Sequence, residues 1–368
     1  MTVCSNCNSP VNEFFEMPYA FFRHSDFEVV KHGGILSRCG RCYMVENQLD
    51  EEDIKRMMNM FQEEKYLQCQ FMKHTLSVAD IGTSVSRTSL QAKLIREKVN
   101  LPNPAILEIG CFHGDLLRDL DSCYEAADLH GYDINEEFRT HFPLRENFRY
   151  WSGDLADIDR DFDIIILSGS IMYIQDIVGL MEQIRRLLRP DGVVFVQTAD
   201  ISKNPYAILL GDQFYHYTPV IMKNMFRSHG FSFEPFECEW FPKECLGFAR
   251  NDCDTSSFPM EKDDAVSWCI ETINQKIGQI RVQTEGISCF GMLGTTSAAA
   301  FVDSLLGSKI GFFVDENPER VGLMFHGKDV LHPSDLHDED VIIIPYGDLS
   351  VQIRARLSEK YKGQFICL

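Results

Sequence analysis

One short stretch constrains the fold more than any other: AILEIGCFHGD, residues 105–115. Residues 105–109 are apolar except for one acid, and they lead into a turn that begins and ends with glycine. Leu116, Leu117 and Leu120 then recur at helical spacing. The pattern predicts a strand, a glycine turn and a helix, the opening of a nucleotide-binding βα unit.

The spacing of the glycines separates two classes of cofactor. A glycine at 110 lets a ligand come close to the backbone, because a Cβ would occupy the space that the ligand needs. Dinucleotide-binding turns usually read GxGxxG and place a pyrophosphate at the helix N-terminus. Here the spacing is GxxxG, from Gly110 to Gly114, with Glu108 two residues before the first glycine and no third glycine. The turn alone is weak evidence, and a nicotinamide dinucleotide is the alternative cofactor.

With its downstream segments, the turn resembles the first motif of the seven-strand S-adenosylmethionine (SAM)-dependent methyltransferases, acid-x-Gly-x-Gly-x-Gly. Cys111, Phe112 and His113 depart from that motif. The segments that follow in the family's order are LHGYD (129–133), SGDL (152–155), DIIILS (163–168), LLRPDG (187–192) and a strand at 193–197. The resemblance implies a Rossmann-like seven-strand domain that binds SAM rather than a nicotinamide cofactor. The cofactor-binding residues that it implies are Glu108, Gly110, Cys111, Gly114, Asp133, Ile134, Asp154, Leu155 and Ser168.

Two of the implied acids have an ordinary alternative role. By the resemblance, Asp133 would accept hydrogen bonds from the ribose hydroxyls and Asp154 from the adenine amine. Any single aspartate at a strand end is more often a solvated cap or turn residue. The two are therefore predicted as cofactor ligands only jointly, because both fall where such acceptors are needed.

Four of the thirteen cysteines form two CxxC pairs near the N-terminus, Cys4 with Cys7 and Cys39 with Cys42. Each pair places two thiolates on one side of a tight turn, and two pairs give a tetrahedral sulfur set suited to Zn²⁺. A closed four-thiolate site leaves no position open for chemistry, so we expect residues 1–48 to form a module around a structural zinc ion. An iron–sulfur cluster or a catalytic metal is the alternative.

The insert between the two cysteine pairs is rich in aromatic residues and contains His24 and His32. A four-thiolate site needs neither histidine as a ligand. We expect the aromatic side chains to pack the core of the small module rather than to bind a ligand.

The charge balance limits the kinds of partner. The formal net charge is −20, with 55 acidic against 35 basic residues, which repels phosphate backbones and anionic membrane surfaces. Neither nucleic acid nor a membrane is therefore an expected partner. The N-terminal sequence shows no basic segment followed by an apolar run, and no apolar stretch approaches ~18 residues. We expect a cytoplasmic protein, in which clustered cysteines bind metal rather than form disulfides.

We predict an α/β protein of three domains with a helical segment between the first two. Residues 49–99 have a helical pattern with a polar break at 82–86. From this segment Tyr66, Lys73 and His74 could reach over the cofactor as a lid, although surface positions on a helix are the simpler alternative. The predicted boundaries are 1–48 for the zinc-binding module, 49–100 for the helical segment or lid, 101–255 for the SAM-dependent methyltransferase domain, and 256–368 for a smaller Rossmann-like domain.

A second glycine turn opens the last domain. A predicted strand at 287–290 leads into Gly291 and Gly294, and further strands are predicted at 309–314 and 341–345. Because a third glycine is missing, we expect this domain to hold substrate or to support the architecture. A second cofactor site is the alternative.

The three-part layout is similar to the zinc-containing sugar C-methyltransferases that act on nucleotide-linked deoxysugars. The segments GFFVDENP (311–318) and GKDV (327–330) resemble the last domain of that family. In that family a Glu-His pair after the fifth strand helps to deprotonate a carbon next to a ketone. By position the pair falls on Asp212 and Gln213, and a glutamine cannot act as a base.

Because of this departure, the base is predicted at a different position in the loop 211–219. His216 could replace the missing histidine, since an unperturbed pKa of ~6.5 suits proton abstraction near neutrality. A packed histidine with one satisfied nitrogen is the alternative. Asp212 and Tyr215 complete the predicted catalytic set, and Tyr173 could hydrogen-bond the substrate or cap the core.

The predicted function is that of a class I SAM-dependent methyltransferase. The expected acceptor is a small molecule, a nucleotide-linked sugar methylated on carbon, in small-metabolite or surface-polysaccharide biosynthesis. One alternative is an O- or N-methyltransferase of a non-sugar metabolite. Another is a catalytically inactive SAM-binding scaffold whose zinc module recruits a partner. A monomer and a homodimer are both compatible with the sequence.

Overall fold

The structure is a computed structural model that describes residues 2–61, 75–78, 83–143, 145–252, 259–347 and 349–368. The predicted lid residues Tyr66, Lys73 and His74 lie outside the described residues. Among the helices that it describes, none combines the length and the apolar character that crossing a bilayer requires.

Strands and helices alternate through most of the chain. The described strands are β1 (Glu13–Phe22), β2 (Val29–Arg38), β3 (Val45–Asn47), β4 (Thr75–Val78), β5 (Thr83–Ser86), β6 (Ala105–Ile109), β7 (Asp128–Tyr132), β8 (Phe148–Trp151), β9 (Phe162–Ser168), β10 (Leu188–Ala199), β11 (Tyr215–His216), β12 (Phe231–Phe236), β13 (Glu244–Asn251), β14 (Phe290–Leu293), β15 (Ile310–Val314), β16 (Met324–Phe325), β17 (Lys328–Leu331), β18 (Val341–Ile344) and β19 (Gln364–Cys367). The described helices are α1 (Glu51–Met60), α2 (Arg87–Lys98), α3 (Asp115–Cys123), α4 (Ile177–Leu187), α5 (Pro219–Ser228), α6 (Ala265–Gln283), α7 (Ser297–Leu306) and α8 (Leu349–Lys360). The fold class is α/β, with several sheets.

The central sheet has seven strands in the order β12-β13-β10-β9-β6-β7-β8, as predicted for the central domain. β6 to β10 run parallel, and β13 is antiparallel to β10 and β12. β6 and β9 are nearly continuous apolar runs, as parallel strands buried on both faces require. The chain passes from β6 outward to β7 and β8 and then returns to β9 on the other side of β6. The order therefore reverses between β6 and β9, and such a switch point opens a crevice at the carboxyl ends of the strands.

The insert between the cysteine pairs forms a long hairpin, β1–β2, that packs onto the central domain. Phe21 and Phe22 of β1 are fully buried. A Cβ on Gly34 would lie 2.7 Å from the Phe21 ring, and a Cβ on Gly211 would lie 2.9 Å from the Phe21 Cβ. The Gly211 N–H donates to the carbonyl of Phe22 at 2.8 Å. The aromatic residues therefore join the module to the central domain, and do not only pack the module as predicted, because a two-stranded ribbon cannot bury such rings alone.

The hairpin also contacts the C-terminal domain. The Phe27 ring at its tip lies 6.3 Å from the Phe325 ring, and His326 Nε2 lies 2.8 Å from the Phe27 carbonyl oxygen. Nearer the middle of β1, the Tyr19 and Phe301 rings meet edge to face at 5.7 Å. On the opposite side the hairpin continues into a four-stranded sheet, β1-β2-β3-β11, whose last strand comes from the loop after β10. One ribbon thus touches all three parts of the chain.

The described residues of the segment 49–100 are not all helical, as the pattern predicts them to be. α1 and α2 are confirmed, but β4 and β5 form an antiparallel pair where the pattern predicts a helix and a polar break. The two strands read TLSV and TSVS, and β-branched residues favour an extended backbone over a helix.

The C-terminal sheet has the order β16-β17-β15-β14-β18-β19, and all its pairs except β16–β17 are parallel, as predicted. The predicted first strand is wrong by three residues, because β14 begins at Phe290 and contains Gly291. A Cβ on Gly291 would lie 2.3 Å from the Phe312 ring, so this glycine makes room for a neighbouring side chain. The turn itself falls at Gly294, where φ is +81°.

Replacing Phe21 with alanine is expected to lower the free energy of unfolding by ~3–5 kcal/mol, because the buried ring would leave a cavity between the hairpin and the central domain. Urea denaturation measures the loss. Phe14→Ala is the matched control on the same strand, since Phe14 is 47% exposed and its loss should not exceed ~1 kcal/mol. Equal losses in the two variants would contradict this account of the hairpin.

Candidate active site

The crevice at the switch point is bordered by the turns that follow β6 and β9. Gly110 and Gly114 have φ values of +80° and +75°, which side chains rarely adopt. A Cβ on Gly110 would lie 2.5 Å from the Cβ of Ser170. Ser170 Oγ donates to the carbonyl of Ile109 at 2.6 Å and ties the two strand ends together. Only a glycine at 110 fits this approach.

Glu108 lies near the carboxyl end of β6 and is buried. Its Oε2 has no hydrogen-bond partner among the described residues. Desolvation, with the charges of Asp115 and Asp133, raises the pKa of Glu108 well above its usual range. A buried acid oxygen without a partner is unfavourable, and a ligand that donates to it would remove the cost.

Asp133 follows β7, the strand next to β6. Its Oδ2 accepts from the Phe112 N–H at 3.0 Å and its Oδ1 from the Asn135 N–H at 3.1 Å. Desolvation raises the pKa of Asp133, although the backbone N–H groups oppose the shift. The bonds hold the carboxylate beside the glycine turn, and each oxygen keeps a second lone pair for a ligand. Ile134, which is 49% exposed, offers apolar surface next to this acid.

Cys111 fills the space inside the glycine turn. Its Sγ lies against Gly131 of β7, where a Cβ would come within 2.5 Å of the sulfur. Burial raises the pKa of Cys111 well above its usual value, so the thiol stays neutral. Cys111 therefore shapes the wall of the crevice by packing.

Asp154 and Leu155 lie in the loop after β8. Asp154 is exposed, and its Oδ1 accepts from the Ala156 N–H at 2.9 Å as a cap on a short 3₁₀ turn. This capping hydrogen bond is the structural role that the sequence analysis gives as the alternative for Asp154. It occupies one carboxylate oxygen and leaves the residue accessible to a ligand.

A polar network lies at the carboxyl ends of β9 and β10, and its two glutamines, Gln91 and Gln197, are 1% and 0% exposed. Gln91 Nε2 donates to Ser168 Oγ at 2.7 Å and to Gln197 Oε1 at 2.9 Å. Gln197 in turn donates to Glu244 Oε2 at 2.7 Å, and Arg87 forms a two-pronged ion pair with Glu244. Burial would raise the pKa of Glu244, but the Arg87 charge and the hydrogen bonds from Arg87 and Gln197 together outweigh burial and lower it. Because the two charges cancel, this wall offers hydrogen bonds rather than net charge.

The tip of the β1–β2 hairpin carries His24 to the same network. His24 is an exposed residue in the turn between β1 and β2. Its Nδ1 lies 3.1 Å from Tyr173 Oη. Desolvation and then the Arg87 charge lower the pKa of His24, while Glu244 opposes the shift.

The predicted catalytic residues Asp212, Tyr215 and His216 lie together against the hairpin but are only 5%, 2% and 2% exposed. Tyr215 Oη donates to the Gln175 carbonyl at 2.5 Å. Burial raises the pKa of Asp212 to about 7 and lowers that of His216 to about 3. Asp212 Oδ2 accepts from the main-chain N–H of His24 at 2.9 Å. The catalytic roles of the three residues stay predictions.

Lys243 contacts residues that follow the carboxyl ends of β10 and β18. Its carbonyl accepts from the Asp200 N–H, just after β10, at 3.1 Å. Its ammonium group lies 4.5 Å from the ring centroid of Tyr346, which follows β18. Desolvation lowers the pKa of Lys243, and no carboxylate in the described part of the chain forms an ion pair with it.

Sequence reasoning misses the polar network because its members are far apart in the chain. Arg87 and Gln91 lie in the segment predicted as a lid, and Glu244 lies at the start of a closing strand. One signal is present: Gln197 interrupts the apolar run VVFVQT, and a buried glutamine in a central strand needs partners. His24 gives no signal beyond its place between the cysteine pairs.

The four cysteines of the CxxC pairs converge at the base of the hairpin. Their sulfur atoms all lie within 4.8 Å of one another, with 3.5 Å between Cys4 and Cys42 and 3.6 Å between Cys7 and Cys39. Four thiolates ~2.3 Å from a zinc ion would stand ~3.8 Å apart in a tetrahedron. The donor set therefore fits a structural metal ion.

Comparisons with known proteins identify the central domain. Residues 107–194 match the model of a family described as a methyltransferase domain. The chain is 24% identical over 180 residues to the demethylmenaquinone methyltransferase of Chlorobaculum parvum, covering 47% of this chain and 73% of that protein. It is 26% identical over 116 residues to the trans-aconitate 2-methyltransferase of Deinococcus radiodurans, covering 31% of this chain and 43% of that protein.

Among solved structures, a SAM-dependent methyltransferase from Mesorhizobium loti is similar to this chain with a TM-score of 0.37 and 18% identity. The similarity covers 43% of this chain and 96% of that one. The family match coincides with the strands that border the crevice. Residues 107–194 thus lie in the domain of a class I SAM-dependent methyltransferase.

Gly110→Ala is expected to weaken SAM binding at least ~10-fold, which corresponds to ~1.4 kcal/mol, because the new Cβ would meet Ser170. Isothermal titration measures the change. Gly286→Ala is the control: its φ is +77°, so it shares the backbone strain, but no atom lies within 4 Å of the new Cβ. Undiminished binding by Gly110→Ala would contradict the placement of the cofactor.

Proposed function

We propose that this protein transfers the methyl group of SAM to a carbon atom of a nucleotide-linked sugar. The observation that carries the choice of acceptor is Lys243, a desolvated ammonium group without a carboxylate partner among the described residues. Taking a cation out of water is unfavourable unless an anion compensates it. The phosphates of a nucleotide-linked acceptor would supply that anion between the two sheets.

The crevice beside Gly110 is the proposed cofactor site. Glu108 would accept a hydrogen bond from the cofactor through its unpartnered oxygen, and Asp133 would accept from the ribose hydroxyls. Asp154 would accept from the adenine amine, with Ile134 and neighbouring apolar groups against the ring. When bound, SAM supplies an electrophilic methyl group, so the protein's part is to align the acceptor and to exclude water.

The polar network is the proposed site of the sugar. Ser168, Arg87 and Glu244 are partly exposed and offer polar groups to sugar hydroxyls. The buried Gln91 and Gln197 hold them in place through hydrogen bonds to Ser168 and Glu244. The ion pair of Arg87 with Glu244 adds polar atoms without net charge. A phosphate would find no free cation in this network, which favours placing the phosphates at Lys243.

The C-terminal crevice is the proposed site of the nucleoside. It begins at Gly294, and Asp315 Oδ2 accepts from Thr295 Oγ1 at 3.0 Å. Arg320 Nη1 donates to the same Thr295 hydroxyl at 2.8 Å. Tyr346 borders both this crevice and Lys243, since its hydroxyl donates to the Leu293 carbonyl at 3.0 Å.

A carbon-methylating enzyme must remove a carbon-bound proton, and that step provides the test. The protein is incubated with nucleotide-linked ketosugars in deuterated water without SAM, and exchange of the proton next to the ketone is followed by NMR. With SAM added, mass spectrometry and NMR locate the new methyl group on that carbon. A methyl group on oxygen or nitrogen would overturn the proposal, and SAM binding without turnover on any acceptor would favour an inactive scaffold.

Lys243→Gln is expected to raise the KM for the nucleotide-linked acceptor ~10- to 100-fold, because a hydrogen bond to a charged group contributes ~1.5–3 kcal/mol. The affinity for SAM should not change. Lys223→Gln is the control, since Lys223 is already ion-paired with Glu261 at 2.5 Å. The prediction fails if Lys243→Gln and Lys223→Gln have the same KM.

The cysteine cluster is proposed to hold one structural zinc ion. Cys39→Ser is expected to lower bound zinc from about one ion per chain and to lower the melting temperature, because the metal contributes binding free energy to folding. Metal analysis and thermal denaturation measure both effects. Cys289→Ser is the control, since Cys289 is exposed and outside the cluster. Full zinc content in Cys39→Ser would contradict the proposal.

A further inference from the structure

We propose that His24, at the tip of the β1–β2 hairpin, is the general base that takes the proton from the acceptor during methyl transfer, and that Asp212 positions it. The inference rests on the proposed function and names a catalytic residue for it. It also gives the cysteine module a part in the reaction, because that module holds the base of the hairpin that carries His24.

The geometry leaves one nitrogen of His24 available to the acceptor. Nδ1 lies 3.1 Å from Tyr173 Oη. When Nδ1 carries the proton and donates to that hydroxyl, Nε2 is unprotonated and can accept a proton. His24 is exposed, as a residue that touches a substrate must be before the substrate binds.

The charged and titratable groups around His24 favour its neutral form. Desolvation and the Arg87 charge lower the pKa of His24, and Glu244 opposes them. A neutral imidazole near pH 7 is the form that accepts a proton. The groups that face His24 come from its own turn (Arg23, Asp26), α2 (Arg87), the turn after β9 (Tyr173), the loop after β10 (Asp212) and β13 (Glu244).

The tip of the hairpin is held in one conformation. Arg23 pairs with Asp26 at 2.5 Å, and the Phe27 N–H donates to the Arg23 carbonyl at 2.8 Å. The His24 N–H donates to Asp212 Oδ2 at 2.9 Å, which fastens the tip to the central domain. A base held by its backbone loses little freedom when the acceptor binds.

Asp212 and His216 are less suited to take the proton themselves. Asp212 Oδ1 and His216 Nε2 are both buried away from solvent. The other oxygen of Asp212 is already occupied by the His24 N–H. Asp212 is therefore a positioning residue that acts through His24.

The step balances without a further reactant. The proton passes from the acceptor atom to His24 Nε2, and the electron pair left on that atom forms the bond to the methyl carbon. The carbon–sulfur bond of the sulfonium breaks and its electrons remain on sulfur. The imidazolium then releases its proton to water.

His24→Gln is expected to lower kcat/KM for the acceptor ~10²- to 10⁴-fold, the range that general acid–base catalysis supplies. The SAM dissociation constant and the melting temperature should match those of the wild type. The acid limb of the pH profile should disappear, because the titrating base is absent. His32→Gln is the matched control, an exposed histidine on β2 of the same hairpin, and it should keep wild-type activity.

Chemical rescue separates a base from a structural residue. Imidazole added to His24→Ala should restore part of the turnover, whereas a purely structural defect would not respond. If the wild type is active and His24→Gln is equally active, the role of His24 is overturned and the proposed function is left intact. A wild type that binds SAM but methylates no acceptor would overturn the function and the role together.

Asp212 is tested by two substitutions. Asp212→Asn keeps an oxygen for the His24 N–H and should retain most of the activity, while Asp212→Ala should lose ~10²-fold in kcat because the hairpin tip is released. Equal losses in the two variants, with His24→Gln still active, would assign the base to Asp212 and overturn the proposal.

Discussion

Burial of the Phe21 ring between two glycine backbones is the contact on which the arrangement of the chain depends. The ring fits because Gly34 and Gly211 have no Cβ, and it joins β1 to the loop after β10. A strand advances ~3.3 Å per residue, so the ten residues of β1 carry the chain ~30 Å from the cysteine cluster to the crevice. The hairpin thereby connects the cysteine cluster with the centre of the central domain.

Desolvation, rather than net charge, sets the electrostatics of the crevice. The protein is strongly acidic, yet Glu108 and Lys243 are each removed from water without an opposite charge among the described residues. Burial favours the neutral form of both, raising the pKa of the acid and lowering that of the amine. Between them, Arg87 and Glu244 cancel each other. Glu108 and Lys243 are therefore the two groups to which a bound ligand could supply the missing partner, and the Arg87–Glu244 pair adds no net charge.

The local elements of this protein follow from the sequence by itself. The glycine turn after β6 and the two CxxC pairs could be predicted because each depends on neighbouring residues or on a short pattern, whereas the order of the parallel strands was implied by the family resemblance. The β4–β5 pair and the start of β14 could not, since a weak local preference there is decided by what packs against it. Gly291 resembles a turn residue in the sequence but serves to accommodate Phe312.

The contacts that build the site were decided only by the tertiary structure. His24 and Tyr173 are 149 residues apart, and Gln91 and Gln197 are 106 apart, yet each pair is hydrogen-bonded. No pattern within the sequence records such a meeting, because it depends on how the hairpin and α2 pack on the central sheet. The sequence by itself determined which elements form and where a cofactor turn lies. The tertiary structure decided which distant side chains share the crevice, since packing between elements, and not local propensity, brings them together.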